Sequence, residues 1–490
     1  MKRTKILAIA LAMACLLAGC WQEEPLEEPE DVLPPFEEEK PEGEKELALP
    51  ERFALPYMPG RTLDPVDCPD GMQQVAGSLL YEGLFRLDGN FEPQPCLCIS
   101  YTHDETAVRY TFDLRPGVQF SDGTPLTGRD IKAVLERARA SERYRSRLEG
   151  ISSISAGGDS VTISLSSPNT ALPALLDVPI VKSGEENSGV PVGTGPYFYA
   201  EEETGAYLIS NQSWWKGGGQ PVDRIALVEA ADSAAMLYRF SSHEVQLITA
   251  DLTGLQAVST TGSVGCVDAK TSVLQYIGCN TARAPLDQPA LRRALSAGID
   301  RANVANAFLS GHGSPAAFPV PPSSALYPVE LEEGYSLDHF AEALRLSGYS
   351  AERPLVLLVN EENSFKLAIA NHLAERWSAG GVTVEVRALP WEEYAAALIA
   401  GDFDLYYGET RLSADWDLRS LLEPYGSLNY GHWSDPDTSR LLAEYAAAED
   451  RTAAMRALCA RLKEQAPILP VCFKSASVLT QTGTVEGLAP

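Results

Sequence analysis

Basic residues are scarce in this chain of 490 residues. It holds 39 Lys and Arg against 67 Asp and Glu, which gives a formal net charge of −28 at pH 7. Nucleic-acid binding needs clustered Lys and Arg to neutralise phosphates, so the composition excludes that class of function. The acidity favours solubility and carries little information about the fold.

Patterns for disulfides and metal sites are also missing. Beyond the first twenty residues the chain has seven cysteines, an odd number without regular spacing. We therefore predict buried free thiols and leave open one bridge, such as Cys266–Cys279. The pair Cys96 and Cys98 lacks the second pair that a zinc site requires. None of the six His lies three or four residues from another, so neither a direct metal cage nor a cofactor is predicted.

Common hydrolase motifs do not occur. The sequence contains neither a G-x-S-x-G elbow nor an H-E-x-x-H pair. His372 and Glu375 share one predicted helix without a second His, which is typical of a solvated face. A catalytic carboxylate pair stays open in so acidic a chain, but the prediction is a protein without enzymatic activity.

The first twenty residues have the pattern of a targeting segment. Three basic residues precede an apolar run from Ile6 to Leu17, which is shorter than the ~20 residues of a membrane-spanning helix. The run ends in Leu17-Ala18-Gly19-Cys20, which resembles the lipobox of bacterial lipoproteins. We expect a signal peptide over 1–19 and a diacylglycerol on Cys20, with an ordinary secretory signal as the alternative.

The segment that follows is acidic and rich in proline. Residues 21–50 hold twelve Asp or Glu against two Lys, together with six Pro. Such a composition buries too little apolar surface to offset the entropy of ordering. Residues 20–50 are therefore predicted to be a disordered tether that holds the folded body off the membrane, with a docking site for a partner as the alternative.

A strand and a helix are predicted in the first half of the body. Val108 to Leu114 alternates apolar and polar residues, as a half-buried strand does. Thr127 and Asp130 have capping-box spacing, and the helix after them carries Ile131, Val134, Leu135 and Ala138 on one face.

The second half of the body alternates between strand and helix patterns. Further helices are predicted with Asp287 and Asp300 as N-caps. Three strands are then separated by single helices, which favours parallel pairing with right-handed crossovers. The predicted order is strand Leu355–Val359, helix Phe365–Trp377, strand Val382–Leu389, helix Trp391–Ala400 and strand Phe403–Tyr407. The prediction is a doubly wound α/β lobe.

Six motifs, in order, resemble those of the family 5 extracellular solute-binding proteins, the oligopeptide, dipeptide and nickel receptors of ABC importers. The block from Tyr81 to Leu135 resembles the family's signature region most closely. The others are Leu63-Asp64-Pro65, Gly193–Tyr197, the NQSWWKGG segment at Asn211, Tyr276–Arg301 and Ala400–Asp417.

The resemblance implies a periplasmic-binding-protein-like type II fold, in which two lobes close over a cleft and an extra lobe packs on the first. It implies lobe I from 51–78, 190–272 and 467–490, lobe II from 79–189, and lobe III from 273–466. It also implies a monomer that binds a small-molecule ligand, expected to be an oligopeptide, and delivers it to an ABC permease on the extracytoplasmic face of the cell membrane.

The resemblance further implies candidate binding residues. Asp415, followed by Trp416, matches a carboxylate that holds a peptide's α-amine, and Ser413 lies beside it. Trp391 matches an aromatic that lines a side-chain pocket, with a core Trp as the alternative. Asp70 and Gly71 match a backbone-contact segment, with a plain exposed turn as the alternative, and Asp251 matches a polar cleft position loosely.

The chain departs from the family pattern just before Asp415. The family commonly carries a Gly-Trp pair there, whereas this chain has Arg411-Leu412-Ser413 after an apparent insertion. The ligand therefore stays open between peptides, oligosaccharides and metal chelates. A receptor-like sensor or scaffold without a transport role is the alternative function. His432 follows closely in sequence and is interpreted as a surface residue.

Overall fold

The computed structural model describes residues 53–68, 71–186, 188–217, 219–253 and 264–482. The predicted signal peptide, Cys20, the tether and Asp70 lie outside these residues. Within them, no helix is both long enough and apolar enough to span a membrane.

Strands and helices alternate in most of the body. The strands are β1 (Phe53–Tyr57), β2 (Phe85–Leu87), β3 (Pro93–Pro95), β4 (Cys98–His103), β5 (Arg109–Leu114), β6 (Ile151–Ala156), β7 (Ser160–Leu165), β8 (Tyr197–Glu202), β9 (Gly205–Ser210), β10 (Arg224–Glu229), β11 (Leu247–Ala250), β12 (Val264–Cys279), β13 (Gly313–Pro315), β14 (Leu355–Asn360), β15 (Val384–Leu389), β16 (Leu405–Arg411) and β17 (Ile468–Gln481). The α-helices are α1 (Gly71–Leu80), α2 (Gly128–Ala140), α3 (Arg145–Leu148), α4 (Ser233–Ser241), α5 (Pro289–Ala297), α6 (Arg301–Phe308), α7 (Leu337–Ser347), α8 (Ser364–Ala379), α9 (Trp391–Ala400), α10 (Arg419–Leu422), α11 (Pro436–Ala447) and α12 (Arg451–Gln465).

Three larger sheets organise these elements. The first sheet has the order β1-β10-β9-β8, and the small sheet has the antiparallel order β4-β5-β7-β6. The large sheet has the order β11-β17-β12-β16-β14-β15, with β13 added to β17. The long strands β12 and β17 run through the large sheet, and the far end of β17 pairs with β11.

The large sheet confirms the predicted parallel pairing. β14 pairs in parallel with both β15 and β16, whereas β12 pairs antiparallel with β16 and β17. Leu357 and Val359 face one apolar cluster and Leu358 faces another, so β14 is buried on both sides. Helices cover both faces because strands of this kind expose apolar side chains in both directions.

The small sheet and its helix also match the expectation. Thr127 and Asp130 form the predicted capping box at the start of α2. The apolar face of α2, with Ile131, Val134 and Leu135, is buried against the small sheet.

One local expectation is wrong, and one alternative that was left open is excluded. The helix α5 begins at Pro289 with Gln288 as its N-cap, because proline is favoured at the first helical position, where no backbone N–H is needed. A Cys266–Cys279 bridge is excluded, because both residues lie on β12, thirteen positions apart, which is roughly 40 Å in an extended strand. Cys96, Cys98, Cys266, Cys279, Cys459 and Cys472 carry free thiols, and all of these but Cys266 are buried, as Cys68 is. Asp300 does cap α6, as predicted.

Candidate ligand-binding site

A cavity of about 1340 Å³ lies between the small sheet with its helices and the end of the large sheet. One wall includes residues of the α2–α3 region and of the segment after β7. The other includes the end of β16 and the residues that follow it, together with Lys270–Ser272 of β12. Pockets for drug-sized molecules span ~300–1,000 Å³, so this space has room for a peptide of several residues.

A second, smaller pocket lies on the outer side of the large sheet, among α5, α7 and α12. Its volume is about 320 Å³. Lys463, one of its cations, is already paired with Glu333 at 2.6 Å. We therefore regard the larger cavity as the candidate site.

Asp415 lies in the wall of this cavity, and its carboxylate is buried, since the whole residue is only 5% exposed. Ser413 Oγ donates to Asp415 Oδ1 at 2.5 Å, and Asn169 Nδ2 donates to Oδ2 at 2.9 Å. The backbone N–H of Asp417 lies 3.3 Å from Oδ1. These donors are neutral, and no described Lys, Arg or His forms an ion pair with Asp415.

Asp404, eleven residues before Asp415, is a buried carboxylate that does have a cationic partner, and it serves as a comparison. Its side chain is fully buried, and Arg353 donates to it twice at 2.6 Å, while the backbone N–H of Val356 donates at 2.8 Å. Burial acts to raise the pKa of Asp404, but the bonds from Arg353 and Val356 hold it below its ordinary value. Asp404 thus joins β14 to the start of β16.

Asp415 has the opposite electrostatic balance. Burial, together with the charge of Asp417, raises the pKa of Asp415 above its ordinary value in spite of the bonds from Ser413 and Asn169. An ionised carboxylate is costly to bury without a cation. The site therefore favours a cationic group that enters the cavity.

The backbone around Asp415 is rigidly held. Tyr445 Oη and Arg451 Nη2 both donate to the Asp415 carbonyl at 2.7 Å. Trp416 has a φ of 55°, which is uncommon for a bulky residue. Its buried ring packs edge-on against Phe91 at 5.3 Å, so it supports the turn from behind and does not border the cavity.

The structure brings only some of the predicted residues together. Asp415 and Ser413 border the cavity, with Trp416 packed beneath them. Gly71 is the exposed first residue of α1, and Trp391 is 59% exposed at the start of α9. Asp251 is paired with Lys474 at 2.8 Å. None of these last three borders the cavity, and their roles in binding stay predictions.

Sequence reasoning missed Asn169, which reaches Asp415 from the opposite wall. Thr170 beside it makes two further bonds across the same gap, from its N–H to Ala446 O at 2.9 Å and from its Oγ1 to Ala448 O at 2.8 Å. No motif marks Asn169, because its role depends on a residue 246 positions away.

The described residues offer no obvious metal site. No group of three or more His, Cys, Asp or Glu side chains in that part of the chain is arranged to hold a metal ion. His432, close to Asp415 in sequence, is exposed, as expected for a surface residue.

Comparisons with known proteins agree with this architecture. The model of the bacterial extracellular solute-binding proteins, family 5 Middle, matches residues 92–431. The glutathione-binding protein GsiB of Shigella dysenteriae serotype 1 (strain Sd197) is 25% identical over 443 residues, which cover 84% of this chain and 86% of GsiB.

Two solved structures confirm the predicted type II fold. The periplasmic murein tripeptide binding protein MppA, in its unliganded open form, superposes with a TM-score of 0.73 at 22% identity, covering 89% of this chain and 94% of MppA. The nickel ABC transporter protein from Bacillus halodurans gives a TM-score of 0.74 at 21% identity, covering 88% and 94%. The chain belongs to the bacterial extracellular solute-binding proteins of family 5.

Proposed function

We propose that this protein is a lipid-anchored receptor that captures a peptide-like solute in the cavity beside Asp415 and delivers it to the permease of an ABC importer. The proposal includes Cys20 as the anchor and the division into lobe I (51–78, 190–272, 467–490), lobe II (79–189) and lobe III (273–466). The protein acts by binding and release, without chemistry on the solute.

The single observation that carries the peptide assignment is the buried Asp415 carboxylate without a cation. A free peptide amino terminus is an ammonium with three donors, which fits the buried carboxylate of Asp415. Asn169 and Ser413 each donate a hydrogen bond to one oxygen of the Asp415 carboxylate. An incoming ammonium replaces or joins these neutral donors and adds the charge that they lack.

The ligands named for two similar proteins also support a peptide-like solute. GsiB is named for glutathione and MppA for a murein tripeptide. Both ligands are peptide-like, and the cavity of about 1340 Å³ has room for molecules of this size.

A peptide-selection experiment tests the proposal. The full-length protein, purified in detergent, is offered an equimolar tripeptide library with free amino termini and the same library after N-acetylation. We expect retention of free peptides and loss of acetylated ones. If no peptide of either kind is retained, the peptide assignment is wrong.

A double-mutant cycle then isolates the role of Asp415. Removing one partner of a buried charge pair costs about 2–5 kcal/mol, so Asp415→Asn is expected to weaken binding of a selected free peptide by roughly 30- to several-thousand-fold. Acetylation should cause little further loss in the variant, since the two changes remove one interaction. Asp437→Asn, an exposed residue of α11, is the matched control and should bind like the wild type. Equal binding of free and acetylated peptides by the wild type would rule out an amine clamp.

A further inference from the structure

Two cations border the cavity from the adjacent strands β12 and β16 of the large sheet. Lys270 lies on β12 and Arg411 ends β16, where it stands opposite Val273 in the antiparallel register. The pairing of β12 with β17 shifts between Lys270 and Leu274. A regular strand turns alternate residues to opposite faces, whereas an irregularity of this kind re-aims side chains. Three consecutive residues, Lys270 to Ser272, accordingly all border the cavity.

Neither cation has a carboxylate partner among the described residues. Lys270 Nζ has only a weak contact with Asn90 Oδ1 at 3.4 Å. Arg411, which is exposed, makes no side-chain hydrogen bond or ion pair within the described part of the chain. Arg147 and Arg419, which also border the cavity, are by contrast paired with Asp177 and Asp417 respectively.

Apart from the paired Arg419 and Asp417, the remaining charged residues of the cavity, Asp67 included, lie away from β12 and β16. Arg143, on the opposite wall, donates to Cys68 O at 2.7 Å and stacks on the Tyr144 ring at 5.1 Å. Glu142 and Glu149 belong to that same wall. The wall formed by β12, β16 and the turn after β16 thus presents the carboxylate of Asp415 and the cations Lys270 and Arg411, none of which forms an ion pair with another described residue.

We propose that Lys270 and Arg411 form an anion subsite that selects peptides carrying an acidic side chain. The inference rests on the proposed function, in which Asp415 receives the ligand's ammonium. A peptide's C-terminus supplies one carboxylate, and two cations without partners leave capacity for a second one from an Asp or Glu side chain. A guanidinium can bind such a carboxylate through two parallel hydrogen bonds, and the ammonium of Lys270 adds a third donor.

The test compares peptides that differ by one charge. The full-length protein is offered paired tripeptide libraries with Glu or Gln at each position in turn, each prepared with a free C-terminal acid and with a C-terminal amide. We expect the wild type to prefer Glu over Gln at one position by about ten- to a hundredfold, as hydrogen bonds to charged groups predict. In the double variant Lys270→Gln/Arg411→Gln the ratio should fall to about one.

Three further variants guard against indirect effects. Lys270→Arg keeps the charge and should keep the preference for Glu, whereas Arg411→Lys keeps the charge but loses the two parallel hydrogen bonds and should keep only part of that preference. Arg345→Gln/Arg440→Gln removes two exposed cations that do not border the cavity, so it matches the change in net charge and should bind like the wild type.

The possible results distinguish failure of the anion subsite from failure of the peptide assignment. If the wild type binds peptides without a preference for Glu, or if the preference survives Lys270→Gln/Arg411→Gln, the subsite is refuted while the peptide assignment stands. If the double variant loses only the distinction between C-terminal acid and amide, the two cations bind the C-terminus and the side-chain subsite is refuted. If no peptide is retained at all, the proposed function fails and this inference fails with it.

Discussion

Asp404 and Asp415 are two buried aspartates, eleven positions apart, whose carboxylates have opposite electrostatic surroundings. Asp404 is surrounded by Arg353, Arg283 and a backbone N–H, and its charge is stabilised inside the protein. Asp415 has only neutral donors, so burial raises its pKa. The first arrangement stabilises the fold. The second leaves unfavourable electrostatic free energy that a bound cation would relieve.

Substitution with Asn should separate the two roles. Asp404→Asn is expected to lower the free energy of unfolding by about 2–3 kcal/mol, because hydrogen bonds to charged groups are worth about 1.5–3 kcal/mol each and Asn keeps part of them. Asp415→Asn removes no ion pair and should change stability by less than about 1 kcal/mol. Urea unfolding of both variants measures the difference. A larger loss of stability in Asp415→Asn than in Asp404→Asn would show that Asp415 is structural.

The raised pKa of Asp415 also predicts how peptide affinity varies with pH. Burial raises the pKa of Asp415 above the ordinary 3.8, so between 3.8 and the raised pKa the folded protein gains stability as the pH falls. An ammonium ligand favours the ionised carboxylate and lowers that pKa. Affinity should therefore be highest above the raised pKa and fall by up to about tenfold per pH unit below it. Calorimetry over the acid range tests this, and Asp415→Asn should lack the dependence.

At the scale of elements, the Gly-Thr-Gly motif at 193–195 allows close packing on the end of α1. A Cβ at Gly195 would lie 2.5 Å from Leu79 O, and one at Gly193 would lie 2.1 Å from Leu80 O. The Gly195 N–H also donates to Leu80 O at 2.9 Å. The motif thus brings β8 against α1 in a way that a larger residue would prevent.

Gly195→Ala should consequently destabilise the protein. Overpacking against backbone atoms typically costs about 1–3 kcal/mol. Gly189→Ala is the control, because Gly189 is exposed and has no atom within 4 Å of a Cβ built on it. Thermal unfolding of both variants is the measurement. Equal melting temperatures would mean that α1 and β8 can move apart at little cost.

At the scale of the whole molecule, the two walls of the cavity are held together across a wide gap in sequence. Asn169 bonds to Asp415, and Thr170 bonds to Ala446 and Ala448. We expect these contacts to open when a ligand enters the cavity. The empty protein should therefore exchange between open and closed forms, and a ligand that prefers the closed form shifts the population toward it.

Ligand binding is expected to reduce the overall dimensions of the protein. Small-angle X-ray scattering with saturating peptide should give a smaller radius of gyration than scattering without it. Thr170→Val, which removes the bond to Ala448 O, should enlarge the radius of the empty protein and weaken peptide affinity by lowering the closed fraction. An unchanged radius at saturation would indicate a rigid scaffold.

The anchor is a separate property of the whole chain. If Cys20 carries the diacylglycerol, Cys20→Ser should release the protein into the medium or leave an uncut precursor. Membrane fractionation and intact mass measure this. A variant that stays on the membrane with the mass expected for the substitution alone would exclude lipidation at Cys20.

Much of the architecture was predictable from local patterns. Alternation of strand and helix in residues 355–407 indicated parallel strands covered on both faces, and β14, β15 and β16 confirm this. The capping box of α2 was predictable because it needs only two residues at a fixed spacing. The start of α5 was not, because Pro289 outweighed the N-cap signal of Asp287.

The sequence by itself determined the fold class, the family and the candidate carboxylate Asp415, because motif order and side-chain periodicity are local properties that need no partner. Tertiary structure decided the surroundings of these residues. It decided which of the two aspartates has a cation beside it, and it brought Asn169 to Asp415. It also placed Lys270 and Arg411 at one cavity. All three outcomes depend on residues that are far apart in the chain. Electrostatic free energy follows distance and burial in space, and neither quantity can be read from spacing along the chain.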